Sequence, residues 1–103
     1  MKNTILFRPA IIAVPISLVA LVVFAFVFNE ARKEVYFLCG NFREGVTQES
    51  VIRQLNTASF STFSESSLES GTQIVHSSAL NFHLFRCNIE LNRDGLVRSA
   101  IYG

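Results

Sequence analysis

The chain has no tryptophan, one aspartate, two histidines, two cysteines and two prolines in 103 residues. Each scarcity removes a class of chemistry. The one aspartate, Asp94, lies in the turn-like sequence Asn92-Arg93-Asp94-Gly95. It is poorly placed to orient a histidine beside a nucleophilic serine. There is no G-x-S-x-G elbow and no glycine-rich phosphate loop. The histidines, His76 and His83, combine with Cys39 and Cys87 into a zinc-like residue set by type alone. Their spacing fits neither C-x2-C nor H-x3-H, so no metal site and no cofactor are expected, and both histidines read as exposed strand or loop residues. From Glu30 onward seven Lys and Arg face eight Asp and Glu. That balance offers no basic patch for nucleic acid. Nothing here assembles a reaction, and the chain is expected to be non-enzymatic.

Charge is absent from one stretch altogether. Pro9 to Phe28, PAIIAVPISLVALVVFAFVF, carries none, while Lys2 and Arg8 precede it and Glu30, Arg32, Lys33 and Glu34 follow. A hydrocarbon core of about 30 Å needs about 20 residues at about 1.5 Å each. Backbone polar groups in lipid must be satisfied within the segment, so the run is expected to be a helix. A cleaved signal peptide needs small residues before its cut. Here the run ends in bulky Phe26-Val27-Phe28, and Cys39, preceded by Tyr36-Phe37-Leu38, is no lipoprotein site. The expectation is therefore an uncleaved signal-anchor over residues 1–29 and a small domain over residues 30–103. Flanking positive charges are nearly balanced. A short leading flank and an even cysteine count favour a cytoplasmic N-terminus and a periplasmic domain in the inner membrane. The bilayer is the first expected partner.

Glu30 to Leu38 continues the helix, and Gly40-Asn41 is its expected stop. Thr47 is a candidate N-cap for a short helix from Gln48 to Leu55 or Asn56, with Glu49 in its first turn and Val51, Ile52 and Leu55 on its apolar stripe. The serine-rich segment Ala58–Ser70 reads as either a strand or a loop. Gln73–Ser77 is a short strand candidate. Phe85, Cys87, Ile89 and Leu91 alternate with polar residues, the period of a half-buried strand. Leu80, Phe82 and Leu84 alternate in the opposite phase, which predicts one strand over Leu80–Leu91 with a bulge or a face switch between Leu84 and Phe85. Asn92–Gly95 then turns the chain into a partner strand over Leu96–Tyr102. The expected fold is α+β: a transmembrane helix, then a small domain with two helical segments and a three-stranded antiparallel sheet.

The segment Glu44-Gly45-Val46-Thr47-Gln48-Glu49-Ser50-Val51 through Leu55 resembles the G-M-T-x-x-x-V-x-x-x-L signature of the SmpA/OmlA (BamE-like) family, and Cys87–Leu91 with Gly95-Leu96-Val97 resembles its closing hairpin. Gly45, Thr47, Val51 and Leu55 carry the likeness. It implies a small α-α-β-β-β domain of the bacterial envelope, in a family whose best-known member is an accessory of outer-membrane protein assembly. Val46 replaces the usual methionine, the Gly-x-Pro after the helix is absent, and a spanning helix stands where the family has a lipid anchor.

Cys87 lies in the core-facing register of its strand, so a partner for it should be core-facing too. A Cys39–Cys87 disulfide would close a loop of about 48 residues and add roughly 4 kcal/mol by chain entropy. Ala10, Ala13, Ser17 and Ala20 share one face of the membrane helix, where small residues permit close association with another helix. These features predict a membrane-anchored interaction module, an accessory subunit of an envelope or inner-membrane complex with a protein partner. The alternative is an immunity or inhibitor protein that neutralises a toxin or envelope hydrolase.

Overall fold

A computed structural model describes residues 2–103, with side chains from Pro9 onward except that of Ala10. Helix α1 runs unbroken over Lys2–Asn41, through Pro9 and Pro15. From Ile11 it is long and apolar enough to cross a membrane. Residues 11–26 are exposed throughout, whereas Ala31, Val35, Cys39 and Phe42 are buried. Ala31, Val35 and Cys39 recur every four residues, the spacing of one helical face, and Phe42 follows just past the helix end. One continuous helix thus presents a bare apolar cylinder at one end and a core-forming stripe at the other.

Helix α2, Gln48–Leu55, starts where Thr47 accepts a hydrogen bond from the Ser50 N–H at 3.2 Å. Its Val51 and Leu55 are buried. Four strands follow as an antiparallel meander, β1 (Thr62–Leu68), β2 (Gly71–Ser77), β3 (Arg86–Leu91) and β4 (Val97–Tyr102), in the order β1-β2-β3-β4. Ile74, Cys87, Ile89, Leu91 and Val97 line the core face of the sheet beneath α1 and α2. Gly45 donates to the Val97 carbonyl at 2.9 Å, and Val97 donates to that of Val46 at 2.8 Å, which ties the α1–α2 link to the start of β4.

The α+β class, the long apolar helix and the antiparallel sheet agree with the sequence reading; the strand count does not. The sheet has a fourth strand, β1, drawn from the serine-rich segment. The strand expected over Leu80–Leu91 begins only at Arg86. Ala79–Asn81 forms a 3-10 turn, and Phe82 and His83 take positive φ values of 58° and 57°, which no strand can accommodate. The register shift lies between Glu90 and Leu91 rather than between Leu84 and Phe85.

Candidate functional site

Two clusters bring side chains together where α1 leaves its apolar run. The first centres on Glu34. Its carboxylate accepts the Ser59 N–H and the Phe60 N–H, each at 3.0 Å, and the Ser61 hydroxyl at 2.5 Å. Ser61 Oγ is also 2.5 Å from Nε2 of His76, which β2 carries into the interior with no exposed surface. Ser78 Oγ donates to the Phe60 carbonyl. The turn leading into β1 is therefore held through its N–H groups by α1 and through a carbonyl by the segment after β2.

A count of hydrogens fixes the roles. Ser61 has one proton, and a carboxylate can only accept, so the proton goes to Glu34. Nε2 of His76 must then donate to Ser61, leaving its buried Nδ1 as an acceptor with no partner among the described residues. A hydrolase places imidazole between hydroxyl and carboxylate, so that the imidazole takes the hydroxyl proton. Here the hydroxyl stands between the other two. The cluster works as a clasp from α1 to the sheet, with Ser61 as its bridge.

The clasp predicts acid sensitivity. Burial pushes the His76 pKa below its ordinary 6.5, with Glu34 pulling partly back. Burial pushes Glu34 upward, but the hydrogen bonds from Ser61, Ser59 and Phe60, with the charge of His76, outweigh it and hold the carboxyl below 4.5. Both groups bind protons more readily in the unfolded chain. Stability should be full above about pH 6.5, fall as pH drops through the lowered His76 pKa, and fall again from about 4.5 through that of Glu34. Glu34→Gln should lower the thermal midpoint at neutral pH by several degrees, as expected for losing about 1 kcal/mol of hydrogen bonding. It should also flatten the lower acid limb and keep the upper one. Unfolding in detergent followed by near-UV circular dichroism between pH 3 and pH 8 reads both.

The second cluster is an open groove of about 340 Å³ between the far end of α1 and β4, lined by Tyr36, Phe37, Cys39, Gly40, Asn41, Ala100 and Tyr102. Tyr36 meets Tyr102 edge to face at 5.2 Å, and Tyr102 stacks on Phe85 at 6.3 Å. Phe37 is 63% exposed, whereas the exposed Ile101 falls on the opposite face of β4 from the groove-lining Ala100 and Tyr102. Beyond Val97 the outer edge of β4 has no backbone partner among the described residues. Aromatic walls beside an unpaired strand edge suit an extended polypeptide, which bonds to the edge and seats alternate side chains in the groove.

The two cysteines lie on the core side of this groove. Their Cα atoms are 5.7 Å apart and their sulfurs at disulfide distance, joining α1 to β3. Of the motif residues, Gly45 takes a φ of 93°, Thr47 caps α2, and Val51 and Leu55 fill the core. Ala13, Ser17 and Ala20 are exposed on α1, with nothing among the described residues covering them; the Ala10 side chain lies outside the described residues. His76 corrects the expectation of two exposed histidines, since it is wholly buried. His83 is exposed and its Nδ1 pairs with Ser77 Oγ at 2.6 Å.

Sequence reasoning missed the groove and the clasp. One signal was present for the groove: Tyr36 and Phe37 are adjacent on a helix, about 100° apart in projection. A single core cannot cover both. The clasp joins Glu34 to residues 25–42 positions away, and no spacing in the chain announces it. Comparison with models of known families, with curated proteins and with solved structures finds no match to this chain.

Proposed function

We propose that the chain is a non-enzymatic interaction module anchored in the inner membrane by α1, with a cytoplasmic N-terminus and a periplasmic domain. It acts as an accessory subunit of a larger envelope complex. The observation that carries this reading is the height of the exposed aromatic groove. Tyr36 lies eight residues beyond Phe28, the last residue of the apolar run, a rise of about 12 Å along the helix. Lipid covers exposed apolar side chains within the run but does not reach Phe37. A protein partner does, as an extended segment added to β4. The cysteine pair suits an oxidising compartment, and the SmpA/OmlA-like motif around Gly45 and Thr47 fits a small envelope domain.

A photo-crosslinker placed at Phe37 or Asn41, which both line the groove, should give one discrete product with a membrane protein, and the same group at Ser66, on the polar outer strand, should give none. Phe37→Asp should abolish co-purification of that protein in mild detergent while leaving the thermal midpoint unchanged. Elution of the tagged chain alone at every detergent strength, with no discrete crosslink at either groove position, would remove the accessory role. A soluble toxin or hydrolase in the crosslink would instead establish the inhibitor alternative.

A further inference from the structure

We propose that the loop from Ala79 to Phe85 is a second membrane contact, a wedge seated at the acyl-chain boundary beside the spanning helix. The inference rests on the reading that α1 crosses the bilayer. From Gly71 to Phe85 the chain has no Asp, Glu, Lys or Arg. Three large apolar side chains of the loop point outward: Phe82 is 69% exposed, Leu84 61% and Leu80 42%. In water such a cluster is costly. The surface it sits on supplies another solvent.

The loop lies alongside the apolar run. The Phe82 ring is 6.4 Å from that of Phe24, and Phe85 meets Phe28 edge to face at 6.0 Å. Phe24 is four residues inside the end of the run, which puts it about 6 Å below Phe28 along the helix. Interfacial segments bury their apolar faces by about 5–10 Å. A loop beside Phe24 is at that depth once the helix is in lipid.

Three of its backbone N–H groups are satisfied within the protein. Phe82 donates to the Ala79 carbonyl at 3.1 Å, His83 to Ser78 at 2.8 Å and Leu84 to Asn81 at 3.1 Å. Polar backbone enters lipid only when satisfied within the protein. A phenylalanine in the left-handed region is a rare and strained conformation for so bulky a residue. Here it turns Phe82 toward Phe24. At the rim, Arg86 donates through Nε to the His83 carbonyl at 3.0 Å and keeps its charge exposed at the level of the lipid head groups. Anchored at helix and loop, the domain is fixed in tilt and rotation against the bilayer, which presents the β4 groove in one orientation.

The absence of tryptophan provides the test. Phe82→Trp introduces a single emitter into the full chain, reconstituted in phosphatidylcholine vesicles with brominated acyl chains. Leu84→Trp is the second loop variant. Leu21→Trp reports on the helix and Phe37→Trp on the far end of α1. The loop variants should emit at short wavelength and lose most of their intensity to brominated lipid, as should Leu21→Trp. Phe37→Trp should keep its intensity and respond to aqueous acrylamide. If Leu21→Trp is quenched by lipid while both loop variants respond only to acrylamide, the wedge is wrong and the spanning helix stands. If Leu21→Trp is not quenched by lipid, the spanning helix falls and the wedge with it.

Discussion

Reduction of the intact chain should cost the domain about 4 kcal/mol, by the loss of loop-closure entropy over 48 residues of sequence separation. A shift of roughly 15 °C or more in thermal midpoint follows, since one kcal/mol moves a domain of this size by about 4–8 °C. Small domains bury only about 60% of their unfolded surface, so the loss is large against the stability available. The effect has a definite location. Cys39 belongs to the stripe Ala31, Val35 and Cys39 through which α1 touches the sheet, and Cys87 is the second residue of β3, with no exposed surface. Freed of that link, the helix is held by side-chain packing and the Glu34 clasp alone. The double substitution Cys39→Ala with Cys87→Ala should reproduce the shift without reductant, and adding reductant to it should change nothing further. An unchanged midpoint on reduction of the parent chain would contradict the prediction.

Gly71→Ala should be nearly as damaging by a different route. Gly71 follows the β1–β2 turn with φ of 148°, and a Cβ there would stand 1.9 Å from the Leu91 carbonyl oxygen and 2.8 Å from the Asn92 carbonyl carbon. Both obstacles are backbone and neither can swing aside. The turn is also pinned from the other side, because Arg93 donates to the Glu69 carbonyl through two nitrogens, at 3.0 and 2.9 Å. Either the β1–β2 ribbon or the end of β3 must move, at a cost of roughly 3 kcal/mol or more. Gly45→Ala is the comparison. Gly45 also has positive φ, 93°, but open space around its missing Cβ, so only the left-handed conformation is penalised, by about 1–2 kcal/mol. Urea unfolding of the two variants in one detergent separates clash from conformation. A loss below about 0.5 kcal/mol for Gly71→Ala would show that the ribbon is not pressed against β3.

The parts of the fold legible in the sequence are those where burial imposes a period. Cys87, Ile89 and Leu91 alternate with polar residues because β3 has one face in the core, and Thr47 with Val51 and Leu55 marks α2 because cap and stripe are local. β1 has no such mark. Phe63 is half-buried and every other residue of Thr62–Leu68 is exposed, so neither face repeats. The alternation of Leu80, Phe82 and Leu84 misled for the opposite reason: these side chains alternate without entering the core, since all three face outward from a turn. His76 is buried because Glu34 and Ser61, distant in sequence, supply its polar surroundings. The groove needs Tyr36 and Tyr102 to meet across the whole length of the domain.

The arrangement of anchor, domain and cysteines is tested most directly by thiol labelling in intact cells. A cysteine introduced by Ser66→Cys lies on the exposed face of β1 and reports the compartment, while Cys39 and Cys87 report their own state. A membrane-impermeant maleimide should label Ser66→Cys in unbroken cells. The two native cysteines should react only after denaturation together with reduction. Labelling of Ser66→Cys only in lysed cells, with both native thiols reactive in denaturant alone, would place the domain in the cytoplasm with its cysteines reduced and would contradict the account.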